Sequence, residues 1–347
     1  MFVKQIVIIV ATVTLFILSF KSFGQKFESK LNACMQSLYN LNFDRADSII
    51  STLDSAELPS YHNFLKAHYI RWKYLPIHEQ DESVIELYGN YLVDDYTKAN
   101  SVFDSLITIN NALLKAEYHY NNKSYYKAFS NGASVYKTIS PKIEYPIELI
   151  KTEWLLPVSL YHYYYSYYSE TNKVLAGLIW FFKSGEKEKG IYGLKKLANS
   201  NSFAQTEAMI YLSQIYLRIE NKPDSAFKYA SRLIKKHPAN LKFYEFYIES
   251  SLASNNSTDS LTYLVDELLA SKNTYFNKYG FCYKALINQE TTESNIQQAI
   301  KAIDNLGGGD HLKSLLYKKA YSLTKKEDYK ELLEESRAYK YTLTLIN

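Results

Sequence analysis

The sequence predicts an all-α fold, an α-solenoid of stacked antiparallel helical hairpins, and two observations lead to this prediction. The first is the stretch from Ala204 to Asn240, which divides into two amphipathic segments around a polar turn and closes with a proline. The second is recurrence. Segments with apolar residues three and four positions apart begin near residues 190, 225, 260 and 295. A constant period of this size is typical of stacked helical units.

The chain divides by composition into three parts. Residues 1–25 are unlike the rest, residues 26–140 contain helical segments at irregular spacing, and residues 141–347 contain the regular ones. Pro141 and Pro146 mark the boundary between the two helical parts, because proline interrupts helices. We expect residues 26–140 to form degenerate hairpins related to the regular hairpins that follow.

The N-terminal part has the layout of a secretory signal peptide. Lys4 supplies a positive charge, an apolar run of 15 residues extends from Ile6 to Phe20, and the polar stretch Lys21–Gln25 follows. We expect cleavage near Gly24 and an exported protein that is periplasmic, extracellular or otherwise associated with the envelope. An uncleaved membrane anchor is the alternative. A bilayer core needs about 20 apolar residues, so no stable membrane span is predicted after cleavage.

The charges of the chain are nearly balanced. There are 40 basic and 36 acidic residues, and removal of Lys4 and Lys21 with the signal leaves 38 against 36. Such a surface gives no electrostatic basis for binding nucleic acid. The two cysteines, Cys34 and Cys282, lie near opposite ends of the chain. Because a disulfide needs Cα atoms within about 7 Å, we expect both thiols to be free and buried.

No catalytic or metal-binding pattern occurs. The seven histidines include no pair four residues apart of the kind that binds zinc. The glycine cluster at 306–311 lacks the lysine and hydroxyl residue of a phosphate-binding loop, and no Gly-x-Ser-x-Gly is present. The sequence therefore predicts a protein that is not an enzyme and has neither a cofactor nor a metal.

The segment 159–169, SLYHYYYSYYS, is the most unusual in a chain of 34 tyrosines. Aromatic rings at this density serve either as a stacking surface for sugars or peptides or as packing between helices. Packing is the preferred interpretation for four tyrosines that share one helical face, namely Tyr161, Tyr164, Tyr165 and Tyr168. Tyr163 and Tyr167 point to the other face, and we expect them to remain available to a ligand.

The stretch 204–240 resembles the tetratricopeptide repeat. Leu212 and Tyr216 occupy the first-helix positions of that pattern, and Ala226 and Ala230 occupy those of the second helix, before the closing Pro238. The sequence departs from the pattern in three ways: serine replaces the usual glycine, Ala230 replaces the usual aromatic residue, and the turn is one residue longer. A weaker resemblance extends over about residues 171–338.

The resemblance implies a function in binding. In tetratricopeptide repeats the first helix of each hairpin lines a concave groove, and the same register at steps of 35 residues gives six partner-binding candidates: Gln214, Arg218, Glu245, Glu249, Lys284 and Asn288. We therefore expect a scaffold that binds a protein or peptide partner in the envelope. The alternative is a glycan-binding or glycan-processing accessory protein that uses the tyrosine-rich segment, including Tyr163 and Tyr167.

Overall fold

The protein is helical throughout the part of the chain that is described. A computed structural model describes residues 29–53, 59–75, 77, 80–92, 102–254, 260–304 and 310–336, and within these ranges it contains helices and no strand. This confirms the all-α prediction. The predicted signal peptide, residues 1–25, lies outside the described residues.

Seventeen α-helices and one short 3₁₀ helix follow one another along the described chain. Their bounds are α1 (29–39), α2 (Phe43–Ser51), α3 (Pro59–Lys73), α4 (Glu82–Asn90), α5 (Val102–Asn121), α6 (Tyr125–Ile143), the 3₁₀ helix (Ile147–Leu149), α7 (Thr152–Thr171), α8 (Lys173–Ile179), α9 (Lys187–Ala198), α10 (Gln205–Arg218), α11 (Pro223–Lys236), α12 (Leu241–Ala253), α13 (Ser260–Ala270), α14 (Thr274–Ile287), α15 (Glu293–Ile303), α16 (Asp310–Thr324) and α17 (Glu327–Glu335).

The helical hairpin predicted in residues 204–240 is confirmed. The two helices α10 and α11 pack on each other, and the turn between them contains Asn221 with a positive φ of 49°. Pro223 begins α11, where its lack of an N–H group costs nothing. Ala226 and Ala230 are fully buried, so small side chains allow the two helices to approach each other.

From α9 to α17 consecutive helices pack on one another, and the even-numbered helices from α10 to α16 also contact each other in turn. The helices α9, α11, α13 and α15 begin at residues 187, 223, 260 and 293, so the interval between them ranges from 33 to 37 residues. This is the neighbour-to-neighbour packing expected of a solenoid. The arrangement of these helices as repeats of one unit stays a prediction.

The N-terminal helices α1 and α3 pack against the region of α11 and α12. The side chain of Asn240 donates a hydrogen bond to the carbonyl of Tyr39 (2.8 Å), and Asn40 contacts His237 at 3.2 Å. The Trp72 ring stands edge-on to the Phe243 ring, with centroids 6.1 Å apart. One buried core therefore includes helices that are about 200 residues apart in sequence. Such contacts go beyond the nearest-neighbour packing of a simple repeat array.

The expected boundary near residue 140 lies within α6. This helix continues through Pro141 and ends at Ile143. Proline supplies no N–H to the carbonyl four residues earlier, but the Ser140 hydroxyl donates to that Lys137 carbonyl instead, at 3.2 Å. The turn 144–146 and the 3₁₀ helix then lead into α7. The division of residues 26–347 into two parts at this boundary stays a prediction from composition.

Both cysteines are buried and free, as predicted. Burial raises the pKa of each thiol to about 12, which keeps both protonated at neutral pH. The Cys34 thiol contacts the carbonyl of Ala46, and the Cys282 thiol contacts that of Ala299. Each cysteine therefore behaves as a small core residue.

Helices α7 and α9 approach each other closely at two glycines. A Cβ atom on Gly190 would lie 2.6 Å from both the Ser159 carbonyl oxygen and the Tyr163 amide nitrogen. A Cβ atom on Gly193 would meet the Ser159 hydroxyl. This packing buries one face of α7 against α9 and so decides which tyrosines of α7 face the other way.

Replacement of Gly190 by alanine is therefore expected to destabilise the fold by about 1–3 kcal/mol, the usual cost of overpacking a core. The new methyl group would meet backbone atoms of α7, which cannot rotate away. Gly132→Ala is the matched control. Its Cβ would meet nothing within 4 Å, so the gain in helix propensity should stabilise the protein by about 0.5–1 kcal/mol. Thermal or urea unfolding measures both changes, and equal effects of the two variants would contradict the close approach.

Candidate functional site

A cavity of about 570 Å³ lies between the N-terminal helices and α7, α8 and α10. Its walls come from α1, α3, α5, α6, α7, α8 and α10, together with Phe182 and Phe203 from the loops. The cavity exists because the N-terminal helices close back on α10, so no single hairpin could form it. Volumes of about 300–1,000 Å³ are typical of sites that bind small molecules or parts of larger ligands.

Tyrosines of α7 form one wall of the cavity. The four rings that line it are Tyr161, Tyr164, Tyr165 and Tyr168. They form two rows: the centroids of the first and third are 5.7 Å apart, and those of the second and fourth are 5.8 Å apart and nearly parallel. Two adjacent rows of rings present an extended aromatic surface.

Charged side chains occupy the α3, α5 and α10 side of the cavity. The Arg71 guanidinium donates to both carboxylate oxygens of Glu117, at 3.2 and 3.1 Å. The Tyr39 hydroxyl donates to Glu207 at 2.5 Å. Burial raises the pKa of Glu207, although the Tyr39 hydrogen bond and the Arg71 charge act in the opposite direction. The hydrogen bond from Tyr39 and the charge of Arg71 therefore do not fully offset the cost of burying the negative charge of Glu207.

His68 of α3 also lines the cavity and is 5% exposed. Neither of its ring nitrogens has a hydrogen-bond partner among the described residues. Burial, together with the Arg71 charge, lowers the pKa of this histidine to about 3, so the ring is neutral at physiological pH. A buried imidazole without partners is costly unless a ligand or water supplies them.

Helix α8 and the loop after it cover one side of the cavity. Leu175, Ile179 and Phe182 face inward, whereas Trp180 and Phe181 are 76% and 60% exposed. The loop is held in place: Phe182 stacks on Tyr136, with centroids 4.1 Å apart, and the Lys183 amide donates to the Tyr136 hydroxyl at 3.0 Å. Large apolar side chains are therefore displayed next to the cavity on an anchored segment.

A second charged cluster lies between the C-terminal helices. Arg218 of α10 forms an ion pair with the fully buried carboxylate of Glu249 in α12. Tyr283 of α14 donates to the same carboxylate at 2.6 Å, and His311 of α16 contacts it at 3.1 Å. Burial alone would raise the pKa of Glu249, but Arg218, His311 and Tyr283 together lower it to about 2.

Glu245, one turn before Glu249, belongs to a neighbouring pair. Its carboxylate lies 2.7 Å from the Lys242 ammonium and accepts from the Tyr275 hydroxyl at 3.1 Å. Only 3% of this residue is exposed. The Lys242 ammonium also lies 4.8 Å from the centroid of the Tyr275 ring. The acidic residues predicted for a groove are therefore enclosed by the next helices in the stack.

The structure thus brings together three of the six predicted groove residues, Arg218, Glu245 and Glu249. The expectation that Glu245 and Glu249 lie open on a groove is wrong, because α12 packs directly against α14 and covers both carboxylates. Gln214 is half-buried, and Lys284 and Asn288 are exposed near the end of α14. The Asn288 side chain accepts a hydrogen bond from the Glu290 amide. A partner-binding role for these six residues stays a prediction.

The assignment of the tyrosine faces is reversed. Tyr163, predicted to be available, is fully buried and donates to Glu220 at 2.7 Å. Tyr167, also predicted to be available, is half-buried and stacks with Tyr163, with centroids 6.4 Å apart. The four tyrosines assigned to packing line the cavity instead. The physical reason is the close contact at Gly190, which places α9 against the Tyr163 side of α7.

Sequence reasoning did not identify the charged side of the cavity. A local signal did exist in α3. Phe64, His68 and Arg71 have the spacing of one helical face, and His68 and Arg71 are polar residues on a face that is otherwise apolar. Glu207 and Tyr211 are likewise four residues apart in α10. Nothing local indicated that these faces meet, because α3 and α10 are far apart in the chain.

The described ranges contain no group of three or more histidine, cysteine, aspartate or glutamate side chains arranged to hold a metal ion. None of their helices combines the length and apolar character needed to cross a bilayer.

The chain was compared with known proteins in three ways. Neither the models of protein families, nor the curated proteins, nor the solved structures include a match to it. The function is therefore argued from the geometry of this chain.

Proposed function

We propose that this chain is a non-catalytic binding protein of the cell envelope, built from repeats similar to the tetratricopeptide type, that holds a segment of a protein partner in the tyrosine-lined cavity. The observation that carries the proposal is the cavity itself. It combines a volume of about 570 Å³ with aromatic walls and a small set of charged groups on one side. Sites that bind ligands typically have this combination of apolar walls and few polar groups.

The surroundings of the cavity favour part of a larger partner over a free small molecule. Trp180 and Phe181 are exposed beside it, and Val174 and Leu178 of α8 are 74% and 43% exposed. Contiguous exposed apolar side chains mark surfaces that contact other proteins, and tryptophan is prominent among residues that contribute binding energy. A peptide segment entering the cavity would bring its parent protein onto this surface.

Two sequence features support the repeat type and the location. In the α10–α11 hairpin Ala226, the alanine at the tetratricopeptide position of the second helix, is fully buried. The chain also begins with a segment typical of export signals. Cleavage near Gly24 is tested by N-terminal sequencing of the protein purified from its native envelope.

Glycan binding is the second candidate, and the two rows of tyrosine rings on α7 favour it. Flat aromatic rings stack on sugar rings, and Arg71, Glu117 and Asn110 line the same cavity and offer hydrogen-bonding groups for hydroxyls. The exposed Trp180 and Phe181 lie outside the cavity, however, and a glycan held within it would leave them without a role.

Filling the cavity should abolish binding. Gly132 lines the cavity and has open space around its Cβ position, so Gly132→Phe should place a ring there without strain. We expect this variant to lose at least ~10-fold in affinity for the neutral fluorophore N-phenyl-1-naphthylamine, because the ring occupies volume the fluorophore needs. The matched control is Gly177→Phe, which is also helical and open but lies outside the cavity lining.

Cross-linking in the native envelope, followed by mass spectrometry, identifies the natural ligand. A protein that is captured by the wild type but lost with Gly132→Phe supports the proposal. Glycan fragments that are captured by the wild type and lost with Gly132→Phe support the second candidate, glycan binding. If Gly132→Phe retains both the fluorophore and the captured protein, the cavity is not the binding site.

A further inference from the structure

The charged groups that line the cavity are predominantly acidic. Glu117, Glu153 and Glu207 contribute three carboxyl groups, whereas Arg71 contributes the one positive charge among the described lining residues. Arg71 is already paired with Glu117. His68, the histidine of the lining, is neutral because burial holds its pKa at about 3. The cavity therefore carries negative charge that the chain itself does not balance.

Glu207 is the least compensated of these groups. Tyr39 donates to one of its carboxylate oxygens at 2.5 Å, and no cation of the described chain lies within ion-pair distance of either oxygen. Arg71 is near enough to favour the charged form, but burial still raises the pKa of Glu207. Glu207 is half-buried, and a partly desolvated carboxylate without a counter-charge is costly, so a cation brought by a ligand would be stabilised at this place.

The aromatic walls of the cavity and His68 also favour a positively charged group. Tyr211 lies one helical turn from Glu207 on α10, and the tyrosine rows of α7 line the cavity too. Aromatic faces attract cations, most strongly where water is excluded. The neutral His68, whose ring nitrogens have no partner in the described chain, can accept a hydrogen bond from an ammonium or guanidinium group.

From this arrangement we propose that the cavity is specific for a positively charged group, with Glu207 as its counter-ion and tyrosine rings as its walls. This inference rests on the proposed function. It narrows the partner to one that inserts a lysine or arginine side chain, or a terminal amine, carried on an apolar stem. Positive groups satisfy both the excess of carboxylates and the aromatic walls, whereas a neutral or anionic group would leave Glu207 without a counter-charge.

The test uses three probes of one shape that differ in charge: 4-phenylbutylammonium, 4-phenylbutan-1-ol and 4-phenylbutanoate. Their affinities for the full-length protein are measured by calorimetry at pH 7.5. We expect the ammonium to bind at least ~10-fold more tightly than the alcohol, and the carboxylate to bind most weakly. In Glu207→Gln, whose amide oxygen still accepts from Tyr39, the preference for the ammonium over the alcohol should fall to within about twofold.

Glu153→Gln is the control, because Glu153 also lines the cavity but is exposed, and exposed charges are screened. This variant should keep most of the preference. If the alcohol binds as tightly as the ammonium, or if Glu207→Gln keeps the full preference, the charge specificity is wrong while the cavity remains a binding site. If the carboxylate binds best, Arg71 decides the specificity and the inference is overturned. If none of the probes binds, the proposed function fails as well.

Discussion

Replacement of Arg218 by methionine is expected to destabilise the protein by about 3–5 kcal/mol, the usual loss when one member of a buried ion pair is removed. The variant would leave the Glu249 carboxylate, which is fully buried, without its main positive neighbour. Tyr283 and His311 would still contact this carboxylate. Burial, the main reason for the low pKa of His311, persists in the variant, so His311 does not fully replace the lost charge. Chemical denaturation of the purified protein measures the change.

The double variant Arg218→Met with Glu249→Gln shows how much of the loss comes from the unpaired charge of Glu249 and how much from the changed packing of the Arg218 side chain. Its stability should recover in part, because the amide carries no charge and still accepts from Tyr283. Lys326→Met is the matched control on the surface. Lys326 pairs with Glu293 at 2.7 Å, but its side chain is 56% exposed, so solvent screens the pair and we expect a much smaller loss of stability than for Arg218→Met. A double variant no more stable than Arg218→Met would contradict this account of Glu249.

Acidification from pH 7 to pH 5 is the second change expected to have a large effect, and it should lower the stability of the fold. Three buried histidines have low pKa values because burial disfavours their charged form. The pKa is about 3 for His68, beside Arg71, and about 4 for His162 and His237, beside Lys189 and Lys236 respectively.

The hydrogen bonds of two of these histidines explain why they resist protonation. In His162, Nδ1 accepts from the Glu186 amide at 3.1 Å, so Nε2 carries the hydrogen and donates to the Ile143 carbonyl. A second ring proton would face the Glu186 N–H. In His237, Nδ1 faces the Asn40 side-chain amide, and protonation would disturb the contact between α1 and α11 in the same way.

The direction of the pH effect follows from proton binding. An unfolded histidine has a pKa near 6.5, so between about pH 6.5 and 4 the unfolded chain binds protons that the folded chain does not. The free energy of unfolding therefore falls as the pH falls, by up to about 1.4 kcal/mol per pH unit for each such histidine. Glu207 and Glu245 act in the opposite direction, because their raised pKa values let the folded chain take up protons first.

Urea unfolding at pH 7, 6 and 5 measures this dependence. His237→Gln removes one titrating group at the contact between α1 and α11, and the loss of stability on acidification should therefore become smaller. A free energy of unfolding that is constant over this range would show that the three histidines do not share the low pKa values that their burial implies.

The difference between prediction and structure is clearest in α7. Helical spacing alone shows that Tyr161, Tyr164, Tyr165 and Tyr168 share a face and that Tyr163 lies on another. It does not show which face meets a neighbouring helix. That was decided by Gly190, which lies 27 residues after Tyr163 and allows α9 to pack against it. The local pattern therefore predicted the grouping of the tyrosines correctly and their environment wrongly.

The predicted groove residues also show what the sequence alone does not predict. The register taken from the repeat resemblance places Glu245 and Glu249 on one side of α12, and in the structure both carboxylates contact tyrosines of α14. Whether that side is open depends on how closely α14 and α16 approach, which no short segment of sequence encodes. Because these helices lie close to α12, the surface predicted to bind a partner is instead a buried network of hydrogen bonds and ion pairs.

The sequence by itself determined the helices of this protein, the hairpin at 204–240 and the separation of the two cysteines, because these depend on apolar periodicity, turn residues and distance along the chain. Only the tertiary structure decided the cavity, since it requires Tyr39 of α1 and Arg71 of α3 to come beside Glu207 of α10. These residues are more than 130 positions apart in sequence. The burial free energy that brings them together is a property of the whole core, so no local pattern records it.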